Sequence, residues 1–309
     1  MEPAATGERS QTAVLWHTVL PGLFAILFAT GVISAKYVLV DAEPLTILFY
    51  RFVVVAGLLA ACAAAISAPW PASPIKALHS VVVGALIHGF VMSGFFMAMD
   101  KGMPAAIAAL IFGTQPTIAT FFSRGLLGER IGLRQWLGLL LGFAGLILVL
   151  GPPLAEAAGS DVTVAGVAFL FSAVLGMTFG AMYQKTFSGE TNLVTGGLLQ
   201  HVGAAAFVGL GALLFETGSV DWTPLLILNF SWLVVGVSIG ALTLFMVLLR
   251  HGAVSRVSTL FYLVPPLTAL MSFFLFSERL TALQLVGFAV TVFAVWLAGR
   301  DSRPAPSIT

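Results

Sequence analysis

The sequence predicts an all-α integral membrane protein, in which ten transmembrane helices form two inverted five-helix repeats around a central cavity, with both termini in the cytoplasm. Three observations predict this fold class. The composition is too apolar for a water-soluble surface, the chain divides into ten apolar runs, and its two halves are similar at an offset of 149 residues.

The composition excludes a soluble protein. Hydrophobic residues make up 59% of the 309 residues and charged residues 9%, with a mean hydropathy of +1.03. A soluble domain is about half apolar and about a quarter charged, so lipid must be the solvent for most of this chain. The net charge of +1 argues against a nucleic-acid partner, and the single cysteine, Cys62, predicts neither an internal disulfide nor a metal cluster. We expect no metal and no cofactor.

Ten apolar runs are long enough for membrane spans, which need about 20 mostly apolar residues. They cover residues 17–40, 45–66, 80–99, 104–124, 133–152, 163–187, 192–214, 223–249, 254–275 and 281–299. The breaks between them are short and carry Pro, Gly and charged residues, so no soluble domain is expected. The first run exceeds a signal-peptide core and is followed by no cleavage pattern, so we expect it to be retained. Residues 1–16 and 301–309 are polar and are expected to be disordered cytoplasmic tails.

The distribution of Lys and Arg predicts the orientation. With ten spans, ten of the 14 basic residues lie on the side of the amino terminus and four on the other side. Cytoplasmic loops carry the excess of Lys and Arg. Both termini are therefore predicted in the cytoplasm, as an even number of spans requires.

The repeat consists of identities between the two halves. The pairs are Gly31/Gly180, Lys36/Lys185, Phe112/Phe261, Pro116/Pro265, Ser123/Ser272, Glu129-Arg130/Glu278-Arg279, Gln135/Gln284 and Gly138/Gly287. Three of these identities are charged residues, which are rare here, so chance is a poor explanation. The predicted repeats, 17–157 and 158–300, hold five spans each, and an odd number inverts the second copy. Inverted repeats are typical of alternating-access transporters with a site near the midplane.

Pro116 and Pro265 lie within the fourth and ninth spans. Proline donates no backbone hydrogen bond and crowds the carbonyl four residues earlier, here those of Phe112 and Phe261. We predict hinges at both prolines, with a packed kink as the alternative. The Glu129-Arg130 pair and its repeat partner are predicted to cap and orient their own helix junctions.

Polar side chains within the spans are the candidate substrate-binding residues, because polar groups at this depth tend to face the bundle interior or a watery cavity. They are Arg51, His88, Gln115, Tyr183, Gln200, His201, Trp232 and Tyr262. For any single one, a hydrogen bond between helices is the alternative. For Arg51, snorkelling towards the membrane surface is another.

Coupling and catalysis are constrained by what the spans lack. No Asp or Glu falls in the middle of a span, and His88 and His201 are the mid-span residues that titrate near neutral pH. This favours a facilitator, with histidine-linked proton antiport as the alternative. The sequence carries no nucleophile elbow, H-E-x-x-H or phosphate-binding loop, so we predict no enzyme. An intramembrane hydrolase using a serine with His88 or His201, or a non-transporting scaffold, remains a remote alternative.

At these repeated residues, over about 17–300, the chain resembles the drug/metabolite transporter superfamily, in its ten-helix branch with two EamA-type domains. The resemblance rests on the proline, Glu-Arg and Gln-to-Gly runs of both repeats. It implies a basket in which spans one to four and six to nine line a pathway while five and ten support it.

The resemblance also implies export of small metabolites, with amino acids the commonest cargo. His88 falls where amino-acid exporters of this type carry a cavity-lining histidine. Phosphate-sugar antiporters of the superfamily carry basic residues deep in the ninth span, whereas Arg256 lies at the start of that span. Small multidrug relatives carry a glutamate in the first span, and the first span of this chain has none. Drugs, nucleosides or sugars remain alternative cargo. We expect a monomer in the cell (inner or plasma) membrane, with lipids and a small-molecule substrate as its partners.

Overall fold

The computed structural model of the chain describes residues 19–103, 105–156, 163–276 and 280–299. These residues are helical apart from short connections, and strand pairing within them is limited to one isolated bridge between Ala42 and Val220. The predicted tails and the Glu278-Arg279 pair lie outside the described residues.

The helices are numbered in chain order. They are α1 Leu20–Asp41, α2 Pro44–Ala65, α3 Pro74–Asp100, α4 in two parts Ala105–Phe112 and Gln115–Leu126, α5 Leu133–Glu156, α6 Val164–Ser188, α7 Leu193–Phe215, α8 Pro224–His251, α9 in three contiguous parts Val254–Ser258, Thr259–Leu263 and Val264–Phe276, and α10 Ala282–Gly299.

The chain is a multi-pass membrane protein. Within the described part, eight helices are long and apolar enough to cross a membrane, all except α4 and α10. The apolar stretch of α10, Ala282–Ala298, is shorter, and α4 is interrupted. The prediction of ten spans therefore stays a prediction.

Helix starts follow local chemistry. Proline is the first residue of α2, α3 and α8, where its missing N–H would have no partner in the helix. The side chain of Asn192 accepts hydrogen bonds from the N–H groups of Val194 and Thr195, which caps α7. The predicted starts at 45, 192 and 223 lie within one residue of the observed ones, whereas α3 begins at Pro74, six residues before the predicted start at 80.

Two kinds of departure from α-helical geometry recur one repeat apart, and a third π-helical segment, Gln184–Ser188 in α6, has no counterpart in α1. The π-helical segments Gly84–Phe90 in α3 and Leu233–Ala241 in α8 begin 149 residues apart. In α4 the helix stops at Phe112 and resumes at Gln115, and in α9 the segment Thr259–Leu263 is a 3₁₀-helix. The interruption in α4 and the 3₁₀ segment in α9 are each followed within two residues by a proline, Pro116 and Pro265. The predicted breaks are present at both prolines, and their role as hinges stays a prediction.

Glycines allow α5 and α10 to pack backbone against backbone. A Cβ added to Gly138 would lie 2.8 Å from the carbonyl oxygen of Ala294, and one on Gly145 would lie 2.4 Å from Oγ1 of Thr291. At Gly287 the nearest atom would be the Val149 backbone nitrogen, at 2.7 Å. The contacts advance along α5 as they recede along α10, so these repeat-equivalent helices are antiparallel.

The closest approach joins α3 to α7. A Cβ on Gly84 would lie 1.8 Å from the Gln200 carbonyl oxygen, and one on Gly203 would lie 2.0 Å from that of Val81. Only glycine fits at either position, because both distances are far inside van der Waals contact. The two backbones therefore lie closer together than any residue with a side chain at these positions would allow.

At one end of the bundle, two carboxylates join the α1–α2 connection to the α7–α8 connection. Glu216 accepts hydrogen bonds from the N–H groups of Leu45 and Thr46, at 2.7 and 2.6 Å, and from the Thr46 hydroxyl at 2.7 Å. Glu43 accepts from the N–H groups of Thr217 and Ser219. We call this the Glu43/Glu216 clasp. A carboxylate at a helix amino terminus satisfies free N–H groups and the helix dipole.

At the other end, Glu129 forms the matching contact between the repeats. Its carboxylate accepts from the N–H groups of Val254 and Ser255, at 2.8 and 3.2 Å, and from the Ser255 hydroxyl at 2.6 Å. Nearby, Lys185 Nζ donates to the Gly252 carbonyl. We call this the Glu129 clasp. The prediction that Glu129 caps its own junction was wrong: the free N–H groups that it meets belong to α9.

We expect Gly84→Ala to destabilise the protein by at least about 1–3 kcal/mol, because the added methyl forces the α3 and α7 backbones apart. The matched control is Gly57→Ala in α2, where a Cβ meets nothing within 4 Å. That control should be neutral or slightly stabilising. Thermal unfolding of the purified protein in detergent measures both, and equal melting temperatures for the two variants would contradict the close crossing.

The Glu43/Glu216 clasp also predicts a pH dependence. The hydrogen bond from the backbone N–H of Ser219, and then those from Thr217, lower the pKa of Glu43. A lowered folded-state pKa gives stability that is present above the ordinary carboxyl pKa and is lost as the pH falls through the lowered value. The melting temperature of the wild type should exceed that of Glu43→Gln at neutral pH, and the difference should shrink on acidification. Glu190→Gln, in the exposed α6–α7 connection, is the control, and a pH-independent difference for Glu43→Gln would refute the assignment.

Candidate functional site

Five buried polar side chains meet between the two halves of the chain. They are Arg51 on α2, His88 on α3, Gln200 and His201 on α7, and Ser238 on α8, and none is more than 3% exposed. We call them the central polar cluster. All five lie well inside apolar helices, where polar groups are expensive unless they bond to one another or to a ligand.

The two histidines are stacked. The ring centroids of His88 and His201 are 5.1 Å apart with the planes at 22°. His88 Nε2 lies 3.1 Å from Gln200 Oε1, and His201 Nδ1 lies 2.8 Å from the Gly197 carbonyl oxygen. A carbonyl only accepts, so Nδ1 of His201 donates, and Nε2 of the neutral ring is then a hydrogen-bond acceptor. This Nε2 is buried and has no partner among the described residues.

Arg51 is anchored to the opposite repeat. Its Nε donates to Ser238 Oγ at 2.9 Å, its guanidinium carbon lies 5.9 Å from the Phe52 ring centroid, and that ring lies 5.9 Å from the His201 ring. The guanidinium also lies within electrostatic range of both His88 and His201. An arginine with 3% exposure and a bond to α8 does not snorkel to the membrane surface, which removes that alternative.

Two local features aim these side chains at one another. His88 and Ser238 both lie in the π-helical segments, and such bulges rotate side chains away from the regular helical register. Gly84, one turn before His88, admits the α7 backbone and so brings His88 to Gln200. The sequence analysis did not select Gly84, Gly203 or Ser238 as part of the site. These three residues could have been predicted from the sequence, because each is a small residue close to polar ones within an apolar span.

A second polar group joins α4 to α9 beside the proline breaks. Gln115 Nε2 donates to Ser258 Oγ at 3.3 Å, and the Tyr262 hydroxyl lies 3.2 Å from Thr117 Oγ1. Gln115 Oε1 is buried without a partner in the described part of the chain. The Tyr262 ring also packs against Gly142 on α5. Pro116 is buried in the same region.

Two of the predicted site residues contact other parts of the fold. The Tyr183 hydroxyl lies 2.6 Å from His79 Nδ1, near the ends of α6 and α3, and both rings contact Phe187. Trp232 is 41% exposed and donates from Nε1 to Thr30 Oγ1 at 2.8 Å, which ties α8 to α1. These contacts therefore lie outside the central polar cluster.

The structure is closed around the central polar cluster. A hollow of about 420 Å³ lies between α2 and α7, but Ala60, Ala63, Ser67, Trp70 and Leu198 line it near the helix ends. It offers no charged side chain and is separate from the polar groups. Among the described residues, no group of three or more His, Cys, Asp or Glu could hold a metal ion.

Comparison with known proteins agrees with this architecture. A model of the EamA-like transporter family matches residues 18–151 and 164–300. A chloroplast WAT1-related protein of Arabidopsis thaliana is 24% identical, over 93% of this chain and 69% of its own length. The uncharacterized transporter YvbV of Bacillus subtilis is 25% identical over 76% and 73%, and the uncharacterized inner membrane transporter YedA of Escherichia coli is 25% identical over 75% and 74%. A solved crystal structure has the same fold, with a TM-score of 0.75 at 21% identity, over 92% of this chain and 98% of that one.

We expect His88 and Gln200 to be energetically coupled, because their side chains are bonded across α3 and α7. A double-mutant cycle of His88→Ala and Gln200→Ala should give a coupling of about 0.5–3 kcal/mol in the free energy of unfolding. His251→Ala combined with Gln200→Ala is the control, since His251 is exposed at the end of α8. Additive effects in the first pair, like those expected in the second, would mean that the contact contributes nothing.

Proposed function

Because the chain belongs to the EamA-like transporter family, we propose that it exports small metabolites, amino acids foremost, from the cytoplasm by alternating access at the central polar cluster. The observation that carries this proposal is the burial of five polar side chains from both halves of the chain at one place inside apolar helices. Such a group is costly to the fold, and it suits a small polar solute that must cross lipid. The proposal includes no enzymatic step.

We propose the predicted topology with it: ten spans, two inverted repeats and both termini in the cytoplasm. Antiparallel packing of repeat-equivalent helices supports inversion, as in α5 with α10. The repeat-equivalent helices α2 and α7 are antiparallel as well. Glu216, just after the end of α7, bonds the start of α2, and Thr195, at the start of α7, donates to the carbonyl of Pro69, which follows the end of α2. The clasps support the topology too, because each joins connections that ten spans would put on one side of the membrane.

Alternating access needs a closure on each side, and the two clasps are suited to that role. Each joins one repeat to the other through carboxylate hydrogen bonds to a helix amino terminus, and both are formed in this closed conformation. Water can replace those bonds when a side opens, so opening is inexpensive compared with breaking a core contact. The irregular segments beside Pro116 and Pro265 supply places where α4 and α9 can bend.

The absence of Asp and Glu from the central polar cluster supports a facilitator that runs down the substrate gradient. Histidine-linked proton antiport is the second candidate, and the stacked His88–His201 pair with its free Nε2 favours it. We place the protein as a monomer in the cell (inner or plasma) membrane, where the YedA relative is described.

Counterflow in proteoliposomes tests the function. Vesicles loaded with a mixture of amino acids should take up labelled amino acids when they contain the protein and not when they are empty. His88→Ala and Gln115→Ala should each reduce this uptake by about tenfold or more without lowering the yield of folded protein, because each removes a buried polar group of the site. The exposed Lys76→Gln is the control, and it should transport like the wild type.

The outcomes separate the parts of this proposal. An absence of flux for amino acids, nucleosides, sugars and cationic drugs alike would overturn the transport function. Flux at the wild-type level in both variants would remove His88 and Gln115 from the pathway. Flux that an imposed pH gradient drives uphill would replace the facilitator with proton antiport.

A further inference from the structure

The central polar cluster contains a cation without a counter-ion. The ion pair between Lys101 and Asp100 lies among exposed side chains at the carboxyl end of α3, outside this cluster. The Arg51 guanidinium has five N–H groups, and the described residues supply one hydrogen-bond partner, Ser238 Oγ. An uncompensated charge inside a membrane protein is unfavourable, so it indicates a negatively charged partner that arrives from outside the fold.

The polar side chains around Arg51 also carry buried hydrogen-bonding atoms without partners among the described residues. Gln200 Nε2 is a buried donor without a partner in the described chain, and Gln200 is fully buried. His201 Nε2 is a buried acceptor that also has no partner among the described residues. The cluster therefore has unused donors, one of them charged, and one unused acceptor beside them.

We propose that Arg51 binds the carboxylate of the transported molecule and that His201 Nε2 accepts a hydrogen bond from its amino group. This inference rests on the transport function proposed above and adds to it the two residues that would recognise the carboxylate and the amino group of an α-amino acid. Ser238 positions the guanidinium through Nε, which leaves the terminal N–H groups free for a two-pronged contact with a carboxylate.

Charge and geometry favour a carboxylate over other anions. A single carboxylate neutralises the guanidinium locally and leaves the ammonium group of the zwitterion to the His201 Nε2 acceptor, whereas a phosphate dianion would place an excess negative charge beside Arg51. The planar guanidinium matches the two oxygens of a carboxylate, and a chloride ion would use only part of its donors. A lipid headgroup is excluded in this conformation because all five cluster side chains are closed off.

An analogue series tests the assignment directly. Unlabelled α-amino acids should compete for labelled uptake, while the matching amines without the carboxylate, and the matching amides, should compete at least about 30-fold more weakly. The matching acids without the amino group should fall between. Inorganic phosphate and chloride should not compete. Equal competition by amino acids and their amines would overturn the proposal.

Variants of the anchoring pair provide the second test. Arg51→Gln should weaken the apparent affinity for the amino acid by about 30-fold or more, with Lys76→Gln as the charge-removing control. Ser238→Asp places a carboxylate where Oγ now lies, 2.9 Å from Arg51 Nε. It should raise the melting temperature and abolish uptake, because an internal carboxylate replaces that of the substrate. A purely structural Arg51 would instead leave uptake intact in Ser238→Asp.

These tests distinguish failure of the inference from failure of the function. If no solute is transported by the wild type, the function fails. If the wild type transports solutes regardless of a carboxylate, and Ser238→Asp transports them equally, only the assignment of Arg51 fails. Because Ser238→Asp supplies a counter-ion, it stays informative even if Arg51→Gln does not fold.

Discussion

The rest of the site depends on the direct contact between the backbones of α3 and α7. Gly84 faces the Gln200 carbonyl and Gly203 faces the Val81 carbonyl, with no room for a Cβ at either place. At this separation a histidine one turn along α3 meets a glutamine on α7, and two imidazole rings stack. Any side chain at either glycine would increase the distance between α3 and α7. The polar groups would then be separated by apolar side chains or by empty space.

Several polar groups among the described residues are satisfied by partners in the opposite repeat. Glu216 and Glu43 bond the backbone of the opposite half at one end, and Glu129 does so at the other. In the interior, Arg51 of the first repeat bonds Ser238 of the second. Without the other half, Arg51 and Ser238 would lose their bond inside lipid, which offers no replacement, so the two halves stabilise one another. The same contacts can be exchanged for water at the ends, which is where a transporter has to open.

The interior and the ends therefore differ in what can replace a broken bond. At the clasps, water substitutes for a carboxylate or an N–H group when the helices separate. In the central polar cluster, which is closed off from water in this conformation, Gln200 Nε2 and His201 Nε2 have no partner among the described residues. This difference is the physical basis for treating the ends as closures and the centre as the binding place.

The sequence by itself determined the class of the fold and the places where helices begin and break. Lipid demands apolar helices, and the prolines at 116 and 265 remove backbone donors wherever they stand, so both effects are local and readable. It also supplied the polar candidates, since a histidine or arginine within an apolar span is conspicuous. Which candidates meet was decided by the tertiary structure alone.

His88, Gln200, His201 and Arg51 converge, whereas Tyr183 bonds His79 and Trp232 bonds Thr30. Glu129 caps a helix of the other repeat rather than its own junction. The physical reason is rotation: helices that are apolar on every face have no polar stripe to fix which side turns inward. Glycine contacts between backbones far apart in sequence, together with the π-helical segments of α3 and α8, set those rotations and bring the central polar cluster together.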